Sequence, residues 1–274
     1  MSYRVLALDL DGTTLTSDLR IMPSVRDAIR RLSSQVMVLL VTGRHHTAAR
    51  PYHHELGLTT PIISCNGTYI YDYQTNSVLA ENAIPHDIAA RFLRLAQQHA
   101  LNLVMYVTDR MALSASNPIA YMSVLESWAK NFPAAIRPDI VRVSSFEEEL
   151  ANSKYVWKFV TEGDLDRINE FARLEWIQEN FTGEQSWHNR IDFSRRGNTK
   201  GARLMEFLRA HQIAPEQVIA IGDNHNDISM LQVAGLGVAM ANAEEAVKAI
   251  AGRVTKESNN GQGILDVLQE YFCI

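Results

Sequence analysis

The stretch of sequence that decides the fold is VLALDLDGT, residues 5–13. Its first four residues are apolar, which is typical of a strand buried on both faces, and the run stops at Asp9. Asp11 follows two positions later, and side chains two positions apart on an extended segment point the same way. The sequence therefore predicts two aligned carboxylates at the end of a buried strand.

Similar apolar runs recur along the chain and alternate with amphipathic stretches. Further strands are predicted at residues 36–41, 61–65, 218–221 and 236–239, and a hairpin at residues 69–71 and 78–80. Helices are predicted at residues 199–211, 227–233 and 243–251, with another that begins at a capping Ser24. Continuous apolar strands between helices indicate a parallel sheet covered on both faces, so we expect an α/β fold with a Rossmann-like, doubly wound sheet.

The middle of the chain has a different pattern. It contains a predicted helix at residues 87–98 and strands at residues 103–107, 155–160 and 185–193, in which apolar and polar positions are mixed. Such strands suit an antiparallel sheet with one exposed face. We therefore predict an inserted α+β domain at residues 84–190, within a core domain formed by residues 1–83 and 191–274.

Composition excludes several classes of protein. The chain has 274 residues, 46% of them hydrophobic and 21% charged, which is wrong for a disordered protein. A net charge of −5 argues against a nucleic-acid coat or a binder of anionic membranes. The early charged residues do not suit a signal peptide. Two cysteines, Cys65 and Cys273, cannot build a disulfide framework, which favours a reducing, cytoplasmic location.

Polar side chains follow the other predicted core strands. Thr42, Gly43 and Arg44 end one strand, Gly222 and Asp223 end another, and Lys200 and Asp227 lie in adjoining segments. Ligands of open parallel sheets bind beyond the carboxyl ends of the strands. We therefore expect several carboxylates, a lysine and backbone amides to share one edge of the sheet.

Crowded carboxylates repel one another, and a divalent cation would relieve that repulsion. Oxygen ligands without histidine or cysteine favour Mg²⁺, and an anionic substrate could then bind the cation and Lys200. A carboxylate about 3.5 Å from a phosphate dianion is repelled by roughly 9 kcal/mol at an effective dielectric constant of 20. Nearby positive charge must offset most of this repulsion before a carboxylate can attack phosphorus.

These motifs together resemble those of the haloacid dehalogenase superfamily of phosphatases, and the insert resembles the α/β cap of its Cof-like branch. The matching residues are Asp9-x-Asp11-Gly12-Thr13, Thr42-Gly43-Arg44, Lys200 and Gly222-Asp223-x-x-x-Asp227. The resemblance covers the whole chain. Thr14 departs from the family, which usually has leucine there, and we expect this side chain to pack rather than react.

The resemblance implies a Mg²⁺-dependent phosphatase. Asp9 would be the nucleophile that forms an aspartyl-phosphate, and Asp11 the general acid and base. The metal ligands would be Asp9, the backbone carbonyl of Asp11 and Asp223, with Asp227 supporting the metal site. The phosphate ligands would be Leu10 through its N–H group, Thr42, Gly43, Lys200 and Asn226.

Within that branch, further stretches are similar to bacterial pyridoxal-phosphate phosphatases. They lie at residues 41–46, 65–69, 156–159, 187–188 and 223–231. This similarity implies that the substrate is a small phosphorylated metabolite, pyridoxal 5'-phosphate, and that the inserted domain selects it. The candidates for substrate contact are Asn66, Tyr106, Trp187 and His188, although core packing explains Tyr106 and Trp187 equally well.

Two other groups of residues are interpreted without a catalytic role. His45 and His46 are expected to begin a helix. A basic cluster is interpreted as a solvated face, apart from Lys200. It comprises Arg190, Arg195, Arg196, Arg203 and Arg209, opposed by Asp192 and Glu206.

Other functions remain open at this point. The nearest alternative is a sugar-phosphate phosphatase of broad specificity. A phosphomutase would share Asp9 and Asp11 but would require a bisphosphate. A non-catalytic phosphate-binding regulator is disfavoured by the complete set of motif residues, and a haloacid dehalogenase would have no use for Asp11. The oligomeric state is left open.

Overall fold

The computed structural model describes residues 3–116 and 119–272. The strands of this part are β1 (Val5–Leu8), β2 (Met37–Leu40), β3 (Ile62–Ser64), β4 (Tyr69–Asp72), β5 (Ser77–Glu81), β6 (Asn102–Val107), β7 (Met111–Ser114), β8 (Ile140–Val143), β9 (Val156–Glu162), β10 (Phe181–Trp187), β11 (Arg190–Arg195), β12 (Val218–Gly222), β13 (Leu236–Ala239) and β14 (Arg253–Val254).

The α-helices are α1 (Pro23–Leu32), α2 (His46–Leu56), α3 (His86–Gln98), α4 (Ala120–Ala129), α5 (Phe146–Asn152), α6 (Leu165–Ala172), α7 (Glu175–Asn180), α8 (Lys200–Ala210), α9 (Ile228–Val233), α10 (Glu245–Ile250) and α11 (Gly263–Phe272). Among the described residues, no helix is both long and apolar enough to cross a bilayer.

The chain forms two compact units. The first unit comprises Met1–Arg44, Tyr52–Ala80 and Thr199–Ile274, and the second comprises His45–Pro51 and Glu81–Asn198. The predicted boundary at residue 190 coincides with the start of β11. The second unit extends further because β11 pairs along its length with β9. The assignment of residues 45–51 to this unit has no signal in the sequence pattern.

The first unit is built on a parallel sheet of strand order β14-β13-β12-β1-β2. A parallel bridge from Val41 to Ile63 leads on to β3, which pairs antiparallel with β4. From β1 the chain moves outward to β2 and β3 on one side, and later returns to β12, β13 and β14 on the other. This is the doubly wound order, and it reverses between β1 and β12. The predicted α/β fold is therefore confirmed.

The buried face of helix α1 agrees with the spacing of apolar residues in the sequence. Its apolar side chains Val25, Ala28, Ile29 and Leu32 are buried, as their spacing predicts. The helix begins earlier than expected, because Pro23 occupies its first position and Met22 precedes it as N-cap. Proline suits that position, where its missing N–H group costs nothing. Ser24 therefore lies inside the helix and does not cap it.

The second unit contains a sheet of order β10-β11-β9-β6-β7-β8, in which β7 and β8 pair in parallel and the other pairs are antiparallel. The single strand predicted at residues 185–193 is in fact the hairpin of β10 and β11, turned at His188 and Asn189. Alternation continues across such a short turn, which hides it in the sequence.

The two faces of this sheet differ. Phe92 of α3 stacks on Phe159 of β9 with ring centroids 4.2 Å apart, in an apolar cluster that includes Phe193 of β11. Because side chains alternate along a strand, the neighbouring Lys158 and Asp192 lie on the opposite face. The antiparallel insert with one apolar face agrees with the predicted α+β domain.

Candidate active site

The acidic residues that follow β1 and β12 lie close together. Asp9 is joined to the end of β12 by its backbone N–H, which donates to the carbonyl oxygen of Ile221 at 3.0 Å. Carboxylate oxygens of Asp9, Asp223 and Asp227 lie within 4.8 Å of one another. The loops at the reversal of the sheet therefore gather three carboxylates in one place.

Lys200 lies between two of these carboxylates. It is the first residue of α8, it is fully buried, and the Thr199 side chain caps the helix. Its Nζ donates to Oδ1 of Asp9 at 2.5 Å and to Oδ1 of Asp227 at 2.7 Å. Burial alone would lower the pKa of Lys200, but Asp227 and Asp9 outweigh it and raise that pKa. The lysine is therefore held as an ammonium ion.

Asp227 uses both of its oxygens within the protein. While Oδ1 accepts from Lys200, Oδ2 accepts the backbone N–H groups of Asp223 at 2.9 Å and Asn224 at 3.0 Å. Gly222 allows this close turn, because a Cβ there would lie 2.5 Å from the Cβ of Asp227. Asp227 is thus placed to hold the loop that carries Asp223.

The surroundings of Asp9 and Asp223 disfavour the ionised form of both carboxyl groups. Burial, together with the charge of Asp227, raises the pKa of Asp9 well above its ordinary value although Lys200 opposes the shift. Burial raises the pKa of Asp223 to about 7, against the hydrogen bond that Thr13 Oγ1 donates at 2.7 Å. The cluster therefore has more negative charge than Lys200 alone can balance.

The donor set of this cluster fits a hard divalent cation. Its side-chain donors are carboxylate oxygens, the ligands that Mg²⁺ prefers. Gly12, whose φ is +78°, leaves room for the Asp223 carboxylate, since a Cβ at residue 12 would lie 2.2 Å from Oδ2. A side chain at this position would collide with a metal-ligand candidate. The residues present are compatible with Mg²⁺.

Asp11 lies on the exposed side of the same loop and is paired with Arg44. The guanidinium group donates to both carboxylate oxygens, at 2.7 Å and 2.6 Å. It also lies 5.2 Å from the ring centroid of Tyr52, whose hydroxyl donates to the carbonyl of Leu19. This bidentate pair fixes the orientation of the Asp11 carboxylate.

The predicted phosphate ligands after β2 lie near two asparagines. The backbone N–H of Thr42 donates to the carbonyl oxygen of Ile63. Its hydroxyl accepts the backbone N–H of Arg44 at 3.1 Å and can still donate to a ligand. Gly43 lies against Asn66, since a Cβ there would be 2.9 Å from Asn66 Oδ1. The same oxygen accepts from Asn226 Nδ2 at 3.0 Å, and Asn226 Oδ1 is buried without a hydrogen-bond partner.

Leu10 and Thr14 complete the first loop, and both are buried. Thr14 packs as expected, but its Oγ1 also donates to the carbonyl oxygen of Asp9 at 2.6 Å. Leucine could not make this bond. The threonine therefore adds a polar restraint on the backbone that carries Asp9.

The remaining predicted contact residues belong to the second unit. Tyr106 is buried on β6, and His188 is exposed in the turn after β10. Trp187 ends β10, but its side chain lies outside the described part of the structure. His45 directly precedes α2 and is fully buried, with Nε2 2.8 Å from the carbonyl oxygen of Val107. Burial lowers the pKa of His45 to about 3, so it is neutral.

The basic cluster is not simply the solvated face that was expected. Arg203 is buried and donates to the carbonyl oxygens of Gly67 and Thr68. Arg190 lies 3.7 Å from the centroid of the Tyr121 ring. Asp192 is buried and paired with Lys158. Contacts between segments distant in sequence determine these positions, so charge patterning alone misses them.

Sequence reasoning left three residues near the site without a role. Arg44, Gly12 and Thr13 are part of the quoted motifs, yet their contacts with Asp11 and Asp223 depend on how separate loops meet. The signal available in the sequence was a glycine and a threonine directly after two aligned aspartates, which could have indicated that these two residues contact the acidic site.

Comparison with known proteins places this geometry in a family. Residues 6–268 match the model of the haloacid dehalogenase-like hydrolases. The chain belongs to this family. It is an enzyme, a phosphatase of the haloacid dehalogenase type, and its predicted resemblance is confirmed.

Two curated relatives and one solved structure illustrate the family likeness. The chain is 40% identical to pyridoxal phosphate phosphatase YbhA of Escherichia coli over 93% of each protein. It is 28% identical to 5-amino-6-(5-phospho-D-ribitylamino)uracil phosphatase YitU of Bacillus subtilis over 98% of each. A haloacid dehalogenase-like hydrolase from Bacteroides thetaiotaomicron superimposes with a TM-score of 0.86 at 25% identity, covering 98% of this chain and 99% of that one.

Proposed function

We propose that this phosphatase hydrolyses pyridoxal 5'-phosphate with the help of Mg²⁺ and through an aspartyl-phosphate. The observation that carries the reaction type is the position of Lys200 between Asp9 and Asp227, next to Asp223. This arrangement orients one oxygen of Asp9 beside a buried ammonium group, which can offset part of the charge of a phosphate. Phosphoryl transfer depends mainly on such positioning and neutralisation.

In the first half of the reaction, an Asp9 oxygen forms a bond to phosphorus and the ester P–O bond breaks. Lys200 holds Asp9 in place and offers positive charge to the transferring group. Asp11 gives its proton to the leaving oxygen, so the product leaves as an alcohol. Arg44, which donates to both oxygens of Asp11, stabilises the carboxylate that remains after this proton transfer.

In the second half, a water molecule attacks the phosphorus of the aspartyl-phosphate. Asp11, now ionised, accepts a proton from this water, and the P–O bond to Asp9 breaks. Inorganic phosphate is released and both carboxyl groups return to their starting states. We propose that Leu10 N–H, Thr42, Gly43 and Asn226 hold the phosphate oxygens throughout.

Asp9, the backbone carbonyl of Asp11 and Asp223 would hold Mg²⁺, with Asp227 orienting the loop of Asp223. When bound, the cation neutralises negative charge on the carboxylates and on the phosphate. The raised pKa values of Asp9 and Asp223 support this proposal, because they mark carboxylates that lack a compensating charge.

The substrate is proposed from the likeness to the E. coli pyridoxal phosphate phosphatase. We propose that the second unit selects the leaving group, with Asn66 of the first unit and Tyr106, Trp187 and His188 as candidate contacts. The buried, reduced thiol of Cys65 suits a reducing compartment, and we propose the cytoplasm as the location.

Steady-state kinetics on a panel of phosphorylated metabolites with Mg²⁺ tests this function. The expected result is the highest kcat/KM for pyridoxal 5'-phosphate. Similar kcat/KM values across sugar phosphates would instead identify a sugar-phosphate phosphatase of broad specificity. The name of the Bacillus relative, which contains a phosphorylated ribityl group, supports testing this alternative. A requirement for a bisphosphate would identify a phosphomutase.

A further inference from the structure

Asn242 is an exposed asparagine in the segment that follows β13 of the first unit. Its Nδ2 donates to the carbonyl oxygen of Gly12 at 2.8 Å. Its Oδ1 accepts the backbone N–H of Asn259 at 3.0 Å. Because the side-chain oxygen is used in this way, the amide nitrogen is the group that faces Gly12. The side chain therefore bridges the loop after β1 and the loop before α11.

The backbone of the same segment is bonded to the loop that follows β12. The N–H of Met240 donates to the carbonyl oxygen of Gly222 at 3.0 Å. The N–H of Glu244 donates to the carbonyl oxygen of Asp223 at 3.3 Å. Asn242 stands between these two donors in the chain. Its segment therefore connects the loop of Asp223, through the backbone, with the loop after β1, through the Asn242 side chain.

Gly12 is the residue of the acidic site whose backbone has the greatest conformational freedom. Its φ of +78° lies in the left-handed region, and a glycine adopts many other conformations at little cost. Its neighbours are Asp11, whose carbonyl oxygen is a proposed metal ligand, and Thr13, whose hydroxyl donates to Asp223 at 2.7 Å. A rotation about the backbone bonds of Gly12 would move both groups. The hydrogen bond from Asn242 opposes this rotation, because it fixes the direction of the Gly12 carbonyl.

A second asparagine restrains the same loop further along the chain. Nδ2 of Asn259 donates to the carbonyl oxygen of Leu15 at 2.8 Å, and Leu15 is fully buried. The N–H of Leu15 donates to the carbonyl oxygen of Leu10 at 2.8 Å, which closes the turn between them. The turn is thus held both at Gly12 and at Leu15. The side chains of Asn242 and Asn259 are defined here as the asparagine clasp.

We propose that the asparagine clasp positions the cation site, by holding the Asp11 carbonyl and the Thr13 hydroxyl in the metal-binding arrangement before a cation binds. This inference rests on the proposed function, since it takes Mg²⁺ to bind at Asp9 and Asp223. A site that is arranged in advance loses less conformational freedom when its ligand binds, and therefore binds it more tightly. The clasp accordingly affects the affinity for the cation more than the rate of the chemical steps.

The test measures Mg²⁺ binding to the metal-free, full-length enzyme by isothermal titration calorimetry. For Asn242→Ala we expect the dissociation constant for Mg²⁺ to rise about threefold to tenfold, the effect of one lost hydrogen bond. The Mg²⁺ concentration that gives half-maximal activity should rise by the same factor, whereas kcat at saturating Mg²⁺ should stay within about twofold of wild type. Because Asn242 is exposed, the substitution leaves no buried cavity. Asn259→Ala should have a smaller effect, because the backbone N–H that Asn242 accepts is retained.

Asn260→Ala is the matched control, at the residue next to the clasp. Oδ1 of Asn260 accepts the backbone N–H of Ser17 at 2.8 Å, and its Nδ2 donates to the Ser17 hydroxyl at 2.9 Å. The substitution therefore removes two hydrogen bonds between the same two loops, but beyond the turn that carries Asp11. We expect its melting temperature to fall while its dissociation constant for Mg²⁺ stays within about twofold of wild type.

Hydrogen–deuterium exchange of the metal-free proteins gives a readout that needs neither cation nor substrate. The amides of residues 10–16 should exchange faster in Asn242→Ala than in wild type or in Asn260→Ala. The reason is that release of the Gly12 carbonyl allows the turn to open more often.

A lower melting temperature of Asn242→Ala with an unchanged dissociation constant for Mg²⁺ would show that the clasp is only structural and would overturn the inference. Equal losses of Mg²⁺ affinity in Asn242→Ala and Asn260→Ala would do the same, because they would indicate a general loosening of the loop. Unchanged exchange of residues 10–16 in Asn242→Ala would also overturn it. The cation of the proposed function fails separately: wild-type enzyme would then show no Mg²⁺ binding, whatever the exchange rates of the metal-free variants.

Discussion

Two buried lysines, one in each unit, differ in the carboxylates that surround them. Lys200 contacts two carboxylates and lies near a third, so the group around it carries excess negative charge. Lys158 contacts the carboxylate of Asp192, which also accepts from the hydroxyl of Ser186. An unbalanced group must recruit positive charge, which suits chemistry on phosphate.

The largest expected effect comes from changing the carboxylate beside Lys200. Asp9→Asn should lower turnover of every phosphate ester by at least about a thousandfold, because the amide cannot form the covalent intermediate. Thermal unfolding should show that the protein still folds. Asp27→Asn, at an exposed site on α1, is the control for the same chemical change. If the Asp9→Asn enzyme kept most of the wild-type turnover rate, Asp9 could not be the nucleophile.

Removal of divalent cations should abolish the function of the carboxylates around Lys200. EDTA is expected to lower activity at least about a hundredfold, and added Mg²⁺ to restore it, because the carboxylates then regain compensating charge. Mg²⁺ should also raise the melting temperature of wild-type protein, and should do so less for Asp223→Asn. Undiminished turnover in EDTA would remove the cation from the scheme.

Asp11→Asn separates the two halves of the reaction. The amide cannot accept a proton from water, so phosphorylated enzyme should accumulate or its formation should slow, with a loss of about a hundredfold or more in kcat. Intact-protein mass spectrometry after rapid acid quench detects the covalent phosphate. Normal hydrolysis by this variant would show that Asp11 is not the acid and base.

The smallest expected effect concerns stability and pH without metal. Because burial raises the pKa of Asp223 to about 7, the folded protein binds this proton more tightly than the unfolded chain. The resulting stability is complete below about pH 4 and is lost as pH rises through 7. Melting curves of metal-free wild type and Asp223→Asn should therefore diverge over this range, by at most about 4 kcal/mol in unfolding free energy. If the melting temperatures of the two proteins changed in parallel with pH, this result would contradict the raised pKa of Asp223.

The parallel core was predictable because its strands are continuous apolar runs that carry polar residues directly at their ends. The stretch around Asp9 shows this best, since strand, turn and carboxylates follow one another within nine residues. Local pattern was less reliable in the insert. A two-residue turn at His188 and Asn189 was hidden within continuing alternation, and one predicted strand became two.

Contacts between distant segments could not be predicted from the pattern. Arg44 meets Asp11 and Lys158 meets Asp192 only after separate strands have been placed side by side. In sequence, Asp192 stands among arginines and looks like part of a solvated face. Its partner is a lysine 34 residues earlier, and only the register of β9 with β11 brings them together.

The order of strands in the first unit has a consequence for biosynthesis. Strand β1 is synthesised before its neighbour β12, which is made roughly 200 residues later. At usual rates of translation, this delay is about 10 to 40 seconds. During that time one edge of β1 has no native partner, whereas the intervening insert has already been synthesised with all of its own strands. Nascent chains stalled before β12 should therefore depend on chaperones to keep β1 from aggregating.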